Sequence, residues 1–370
     1  MTRDESPTFV FHIGLERTGS TSFQRFCTTN AAQLQRSGIL YPTKSPAFRV
    51  DNHGPLVAGY LAAHCADPDY AIHSTLAAKA TVLQSLFKNV AKQSPDIVLI
   101  SSEHFSSRFE PADIEALAQD FAGRRCKILL VVRDHRQRFF SAYATSVMSG
   151  RHLTVEEYAE EVLAPENHYL RYRAIIEMWE GAFGKDAIVV KPYRSDDGLI
   201  HSLLESVSSR PVAVSSSKAY DDNRSLGPSC TEALRLANLA LASRFCGPSR
   251  SYWSWLQKRY CEVRMKRWLV AAAGTRNREP WHLGAAHLAR LDAIAAEDTA
   301  WLAENYGVTL SASPSGPRQP QSAQNPLDAT QILAQALQDR ILGQWNLVDA
   351  AMPALIPVAR LWHRWRMKGL

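Results

Sequence analysis

Four short, continuously apolar runs lie in the first half of the chain, and segments with helical spacing separate them. The runs are Thr8–Ile13, Asp96–Ser101, Lys127–Val132 and Ala187–Tyr193, and a shorter one at Ile39–Tyr41 predicts a short strand or extended turn. Strands without polar alternation are buried on both faces, as in a parallel sheet covered by helices. The pattern therefore predicts a three-layer α/β/α fold with a central parallel sheet over roughly the first 225 residues.

The second half of the chain changes character. Helical patterns dominate beyond residue 229, and Ser311–Pro326 holds four Pro, four Ser and three Gln in sixteen residues, a composition typical of flexible linkers. We predict an α/β core at 1–228, a helical region completing the domain at 229–310, a linker at 311–326 and a helical tail at 327–370. No internal repeat is visible.

Composition narrows the class of protein. With 370 residues, 46% hydrophobic and 21% charged, the chain buries a large core, which excludes collagen-like, coiled-coil and wholly disordered proteins. Six scattered cysteines form neither a metal knuckle nor a disulfide framework. Neither a secretory signal nor an apolar run of the roughly 20 residues needed to span a bilayer is present. We expect a cytoplasmic protein with reduced thiols.

The net charge of +6 favours an anionic ligand, a nucleic acid or an acidic membrane surface. Residues 250–278 carry eight Lys/Arg and five interleaved aromatic residues, a pattern open to three interpretations: a solvated helical face, a surface that gathers an anionic acceptor, or a nucleic-acid patch. We find no nucleic-acid reading module and expect no such partner. The tail ends LWHRWRMKGL, which suits peripheral contact with the inner, anionic face of a membrane.

The segment Gly14–Ser22 (GLERTGSTS) lies between the first predicted strand and a helical segment. Such a loop directs backbone N–H groups toward one concavity at the positive end of the helix dipole, where an anion binds. The spacing G-x4-G-S-T matches a nucleoside-triphosphate loop, except that Ser20 replaces the required Lys, which argues against ATP or GTP hydrolysis. Arg17 and the hydroxyls of Thr18, Ser20, Thr21 and Ser22 suit a compact, highly charged phosphate group.

The stretch FHIGLERTGSTSFQ resembles the 5′-phosphosulfate loop of sulfotransferases that use 3′-phosphoadenosine 5′-phosphosulfate (PAPS). VVRDHRQRFFSAY resembles the 3′-phosphate motif of the same family. The resemblance implies a P-loop-like fold and PAPS as the sulfuryl donor, with no metal required. The implied donor-binding residues are Arg17, Thr18, Gly19, Ser20, Thr21, Ser22, Arg133 and Ser141, with weaker positional matches at Tyr193 and at Arg224, within the covering-loop segment DDNRSLGP.

Sulfuryl transfer needs a base for the acceptor and a cation where charge builds on the leaving oxygen. The resemblance places Arg17 at the cationic position, where the family commonly has Lys, and LISSEHF at the segment that carries the base. Glu103 is the preferred base and His104 the rival. His53 is a candidate for the substrate pocket. We interpret His12 as a core histidine and assign Arg138 to a surface ion pair.

The predicted activity is transfer of sulfuryl from PAPS to an acceptor hydroxyl. Resemblance to the bacterial and heparan-type branches of the family implies a carbohydrate or glycolipid acceptor. Two rival hypotheses stay open: a small-molecule kinase that uses the same loop, and a non-catalytic nucleotide- or carbohydrate-binding relative. The sequence does not define the acceptor or the oligomeric state.

Overall fold

A parallel β-sheet forms the centre of the computed structural model, which describes residues 6–43, 52–61, 79–194, 198–208, 212, 226–244 and 280–310. Its strands are β1 (Thr8–Gly14), β2 (Ile39–Leu40), β3 (Ile97–Ser101), β4 (Cys126–Val132) and β5 (Ile188–Pro192). The described strands pair in the order β2-β3-β1-β4-β5, and every pairing is parallel. This confirms the predicted sheet. β1 lies at its centre, so the loop that follows β1 opens at the middle of the carboxyl edge.

Helices of very different length connect and cover these strands. In chain order they are α1 (Ser20–Thr29), α2 (Ala31–Arg36), α3 (Gly54–Leu61), α4 (Lys79–Gln93), α5 (His104–Arg108), α6 (Pro111–Asp120), α7 (His135–Met148), α8 (Val155–Val162), α9 (Tyr172–Phe183), α10 (Gly198–Val207), α11 (Pro228–Arg244) and α12 (Ala285–Tyr306).

Successive side chains of each strand point to opposite faces of the sheet and enter two separate hydrophobic clusters. Phe9 and Phe11 of β1 belong to the cluster that also contains residues of α3, α4, α6 and α9. Val10, between them, belongs to the cluster with residues of α1, α2 and α10. The strands are predominantly apolar and both faces of the sheet are covered, so the predicted three-layer α/β/α class is confirmed.

The described residues fall into two compact units, one within 1–142, 159–224 and 283–314 and the other within 143–158 and 225–282. The first contains the sheet. In it, the buried Asp298 of α12 accepts hydrogen bonds from the backbone N–H groups of Tyr172 and Arg173, at 2.7 and 3.0 Å, and lies 2.8 Å from His135 Nε2. A carboxylate there satisfies N–H groups that the first turn of α9 leaves open.

In the described part of the second unit, the buried side-chain amide of Asn238 connects α11 to the end of α7 and the residues after it. Asn238 of α11 donates through Nδ2 to the carbonyls of Val147 and Arg151, at 2.7 and 2.9 Å. The Tyr143 ring packs edge-on against Trp281, with 5.8 Å between centroids.

Several predicted features lie outside the described residues: Arg224, the basic segment 250–278, the linker 311–326 and the tail 327–370. The domain boundaries stay predictions. Cys27, Cys126 and Cys230 form no disulfide within the described part of the chain. No helix among the described residues is long and apolar enough to cross a membrane.

Candidate functional site

The loop between β1 and α1 is built from left-handed backbone conformations. Gly14 and Gly19 have φ of 76° and 87°, and Arg17, which is not a glycine, has φ of 69°. The loop is shorter than predicted, because α1 begins at Ser20 rather than after Ser22. Three reversals in six residues fold the chain tightly and place the N–H groups of the first turn of α1 at the carboxyl edge of the sheet.

Two of the predicted phosphate-binding hydroxyls brace this loop. Thr18 Oγ1 and Ser20 Oγ donate to the carbonyl of Leu15, at 2.6 and 3.1 Å, and both side chains are buried. Thr21 and Ser22 are half-buried in the first turn of α1. Since the hydroxyl protons of Thr18 and Ser20 are used inside the loop, its anion-binding capacity rests on the backbone N–H groups and on Arg17.

The two sequence motifs converge at Arg17. Its Nε donates to Ser141 Oγ at 2.8 Å, across 124 residues of chain. Arg133, which follows β4, donates through Nη1 to the Arg17 carbonyl at 3.0 Å and through Nε to Gln137 Oε1 at 3.0 Å. The bond from Arg133 supports the strained backbone of Arg17.

Tyr193 closes one side of this cluster. The guanidinium carbon of Arg133 lies 4.5 Å from the centre of its ring. A Cβ built on Gly19 would lie 3.5 Å from Tyr193 Cε2 and only 2.6 Å from Leu199 Cδ2, so the loop, β5 and α10 approach closely. The structure therefore gathers Arg17, Gly19, Arg133, Ser141 and Tyr193 into one place.

The cluster brings the positively charged side chains of Arg17 and Arg133 close together, so they repel each other. Burial lowers the pKa of the Arg17 guanidinium, and the neighbouring Arg133 lowers it further. Neither arginine forms an ion pair with a carboxylate in the described part of the chain. The nearby Glu16 carboxylate acts in the opposite direction and raises the Arg17 pKa. Two guanidinium groups placed together favour an anionic ligand, which relieves their repulsion.

Arg138 is buried, not at the surface as predicted. It is 1% exposed, and its guanidinium carbon lies 4.7 Å from the Tyr169 ring centre and 5.3 Å from that of Tyr172. Tyr169 in turn donates from its hydroxyl to Glu16 Oε2 at 2.7 Å. The aromatic faces stabilise the buried cation and place Arg138 behind the phosphate loop.

Glu103 follows β3 and lies next to the start of the loop. A Cβ on Gly14 would meet Glu103 Cα at 2.9 Å. The carboxylate does not cap α5; it accepts a hydrogen bond from Gln24 Nε2, at 2.8 Å from Oε2. The predicted base is thus half-buried at the same sheet edge as the arginines.

The two histidine candidates occupy different surroundings. His104 is half-buried at the first residue of α5. His53 is buried: its Nδ1 accepts from the Ser101 backbone N–H at 2.9 Å, and its Nε2 lies 3.0 Å from the Pro42 carbonyl. Burial lowers the His53 pKa to about 4. Both ring nitrogens bind backbone, so His53 ties the segment after β2 to β3, and its predicted role at a substrate stays a prediction.

Sequence reasoning missed Gln24, Gln137 and Tyr169. Gln24 follows Ser20 by four residues on α1, which puts the pair on one helical face, a usable signal. Gln137 lies in the first turn of α7, four residues after Arg133, which precedes that helix. Tyr169 carries no such signal, because it reaches Glu16 across 153 residues of chain.

Taken together, the sheet edge presents a cation cluster and a carboxylate on either side of one loop. The cations suit binding of phosphate or phosphosulfate groups, and the carboxylate suits removal of a proton from an incoming nucleophile. This arrangement therefore supplies the groups needed for group transfer from an anionic donor to a hydroxyl acceptor.

Comparisons with known proteins identify few relatives. No family model matches the chain, and no curated protein matches it. Among solved structures, the chain is similar to the crystal structure of a sulfotransferase from Alicyclobacillus acidocaldarius, at 19% identity and a TM-score of 0.38. The similarity covers 63% of this chain and 94% of that chain.

Proposed function

We propose that this protein is a sulfotransferase that moves a sulfuryl group from PAPS to the hydroxyl of a carbohydrate or glycolipid acceptor. The observation that carries the proposal is the contact between Arg17 and Arg133 at the loop after β1. These two guanidinium groups, with Ser141 held by the Arg17 Nε hydrogen bond of 2.8 Å, suit a ligand with several anionic groups close together.

The donor would place its 5′-phosphosulfate on the loop and its 3′-phosphate toward Arg133 and Ser141. The first turn of α1 supplies backbone N–H groups to the 5′ end. Tyr193, which packs on Arg133, supplies a flat apolar face for the adenine.

In the reaction, the acceptor oxygen attacks the sulfur, and an oxygen–sulfur bond forms as the bond from sulfur to the phosphate oxygen breaks. The proton of the acceptor hydroxyl passes to the Glu103 carboxylate. The electron pair of the broken bond stays on the phosphate of the product, 3′-phosphoadenosine 5′-phosphate (PAP). Arg17 stabilises that charge as a permanent cation, and its high proton affinity makes it a poor acid.

Calorimetric titration of the purified full chain with PAP, with AMP and ATP as controls, tests the proposal. Tight binding that requires the 3′-phosphate, together with release of ³⁵S-labelled sulfate or sulfated product from labelled PAPS, supports it. Preferential binding of ATP supports the kinase hypothesis instead. Binding of PAP without turnover of PAPS on any sugar or in water supports the non-catalytic alternative.

A further inference from the structure

A chain of buried side chains runs from the centre of the sheet to the Glu103 carboxylate. Gln24 Nε2 donates to Glu103 Oε2 at 2.8 Å and to Ser101 Oγ at 3.2 Å. Ser101 Oγ lies 2.7 Å from His12 Nδ1. Gln24, Ser101 and His12 are all buried, so this chain reaches solvent only at its Glu103 end.

The hydrogen atoms of this chain can be assigned one by one. A carboxylate only accepts, so Gln24 must turn its NH2 toward Glu103, and its second amide hydrogen goes to Ser101. The Ser101 hydroxyl then donates to His12 Nδ1. His12 is neutral there, because burial lowers its pKa to about 3, and a neutral ring can accept at Nδ1.

Stability alone is a poor explanation for the chain. With Nδ1 accepting, the proton of His12 sits on Nε2, which is buried and has no hydrogen-bond partner in the described part of the protein. Gln24 is also a buried polar side chain between Phe23 and Phe26, both of which are buried in the cluster beneath α1. Buried polar groups that leave a donor unsatisfied destabilise a fold, and they occur chiefly at functional sites.

We infer that Gln24 is a positioning residue for the base, an inference that rests on the proposed sulfuryl transfer. By holding Oε2, Gln24 fixes the carboxylate in one orientation and leaves Oε1 to receive the acceptor's proton. Gln24 lies one turn after Ser20, on the helix whose first turn completes the phosphate loop. The same helix therefore sets the position of both the donor group and the base.

The test is Gln24→Met, which keeps the side chain's length and removes its donor. Gln35→Met, at an exposed glutamine of α2, is the matched control. The assay follows the ³⁵S label that leaves PAPS, as sulfate with water as acceptor and as sulfated glucose with glucose as acceptor, alongside PAP titration and thermal unfolding. We expect kcat of Gln24→Met to fall roughly ten- to hundredfold, because the base loses its orientation, while the KM for PAPS and the affinity for PAP stay within about twofold. The control should match the wild type.

A second measurement separates positioning from structural damage. In a Glu103→Gln background, adding Gln24→Met should cause no further loss of rate, because the orientation of the base no longer matters. If Gln24→Met does not fold, Ser101→Ala serves instead: it removes the oxygen that aligns Gln24, and kcat should fall by a smaller factor at unchanged KM.

The outcomes are distinguishable. Wild-type protein that releases no sulfate from PAPS overturns the proposed function and this inference together. Wild-type turnover with an unchanged kcat in Gln24→Met, or an equal loss in the Glu103→Gln background, overturns the inference alone.

Discussion

At the scale of single residues, the candidate site depends on the backbone conformation of Arg17 and on the hydrogen bonds that Arg17 and Arg133 form. Arg17 occupies a left-handed conformation and donates to Ser141, while Arg133 binds the Arg17 carbonyl. A lysine at position 17 would keep the charge but could not direct a planar Nε–H toward Ser141. The arginine at this position therefore fixes the geometry of the cluster as well as its charge.

Arg133→Ala should weaken PAP binding by about 1.5–3 kcal/mol, which is roughly ten- to 150-fold in Kd, because a charged hydrogen bond to the 3′-phosphate is lost. Calorimetric titration measures this change. Arg136→Ala is the matched control: Arg136 is three residues further along, in the first turn of α7, and pairs with Asp292. Unchanged PAP affinity in Arg133→Ala would remove Arg133 from the 3′-phosphate site.

Glu103→Gln should slow sulfuryl transfer by roughly 10²- to 10⁴-fold, to a residual rate, while PAP affinity persists, because the amide cannot take the acceptor's proton. Single-turnover measurement with labelled PAPS gives the rate, and calorimetry gives the affinity. His104→Gln is the paired variant, since His104 is the rival base. Loss of transfer in His104→Gln with full activity in Glu103→Gln would exchange their roles.

At the scale of elements, the loop between β1 and α1 connects the candidate donor-binding residues to Glu103, the candidate base. Gly14 ends β1 with φ of 76°, and a side chain there would meet the backbone of Glu103 at 2.9 Å. A contact with backbone cannot be relieved by a change of rotamer. The close approach of β1 to the end of β3 thus sets how far the phosphate loop lies from the carboxylate.

Gly14→Ala should therefore destabilise the protein and impair PAP binding, whereas Gly123→Ala should only destabilise it. Gly123 has a φ of 75°, but a Cβ there meets nothing within 4 Å. Both variants incur the left-handed strain of about 1–2 kcal/mol, and Gly14→Ala adds a steric clash. Urea unfolding and PAP titration measure the two effects. Equal stability loss and intact PAP binding in both variants would argue against the close approach.

At the scale of the whole molecule, the unit that contains the sheet has an apolar core with a few fully buried polar side chains. His12 and His53 lie on either side of Ser101 in this core. Burial lowers their pKa values from 6.5 to about 3 and about 4. Both remain neutral when the unfolded chain would already be protonated.

This difference predicts acid lability. As the pH falls below 6.5, the unfolded state gains protons that the folded state cannot bind until about pH 4 for His53 and about pH 3 for His12, so stability falls across that window. At pH 5 each group should contribute a loss of roughly 2 kcal/mol relative to neutral pH. Urea unfolding between pH 5 and 7 measures the slope.

The slope should decrease in His53→Gln and in His12→Gln and stay unchanged in His201→Gln, since His201 is exposed on α10. A slope that is the same in all three variants would contradict neutral burial of His12 and His53.

The sequence by itself determined the fold class and the loop. Apolar runs without polar alternation specify strands buried on both faces, and a Gly-bounded segment between strand and helix specifies a tight loop at the carboxyl edge, because these features depend on local chemistry. Only the tertiary structure decided which residues each side chain contacts. Arg17 reaches Ser141 across 124 residues, Gln24 reaches Glu103 across 79, and Arg138 is buried against tyrosines rather than exposed. Such contacts depend on which loops the sheet order brings together, and no local pattern encodes that order.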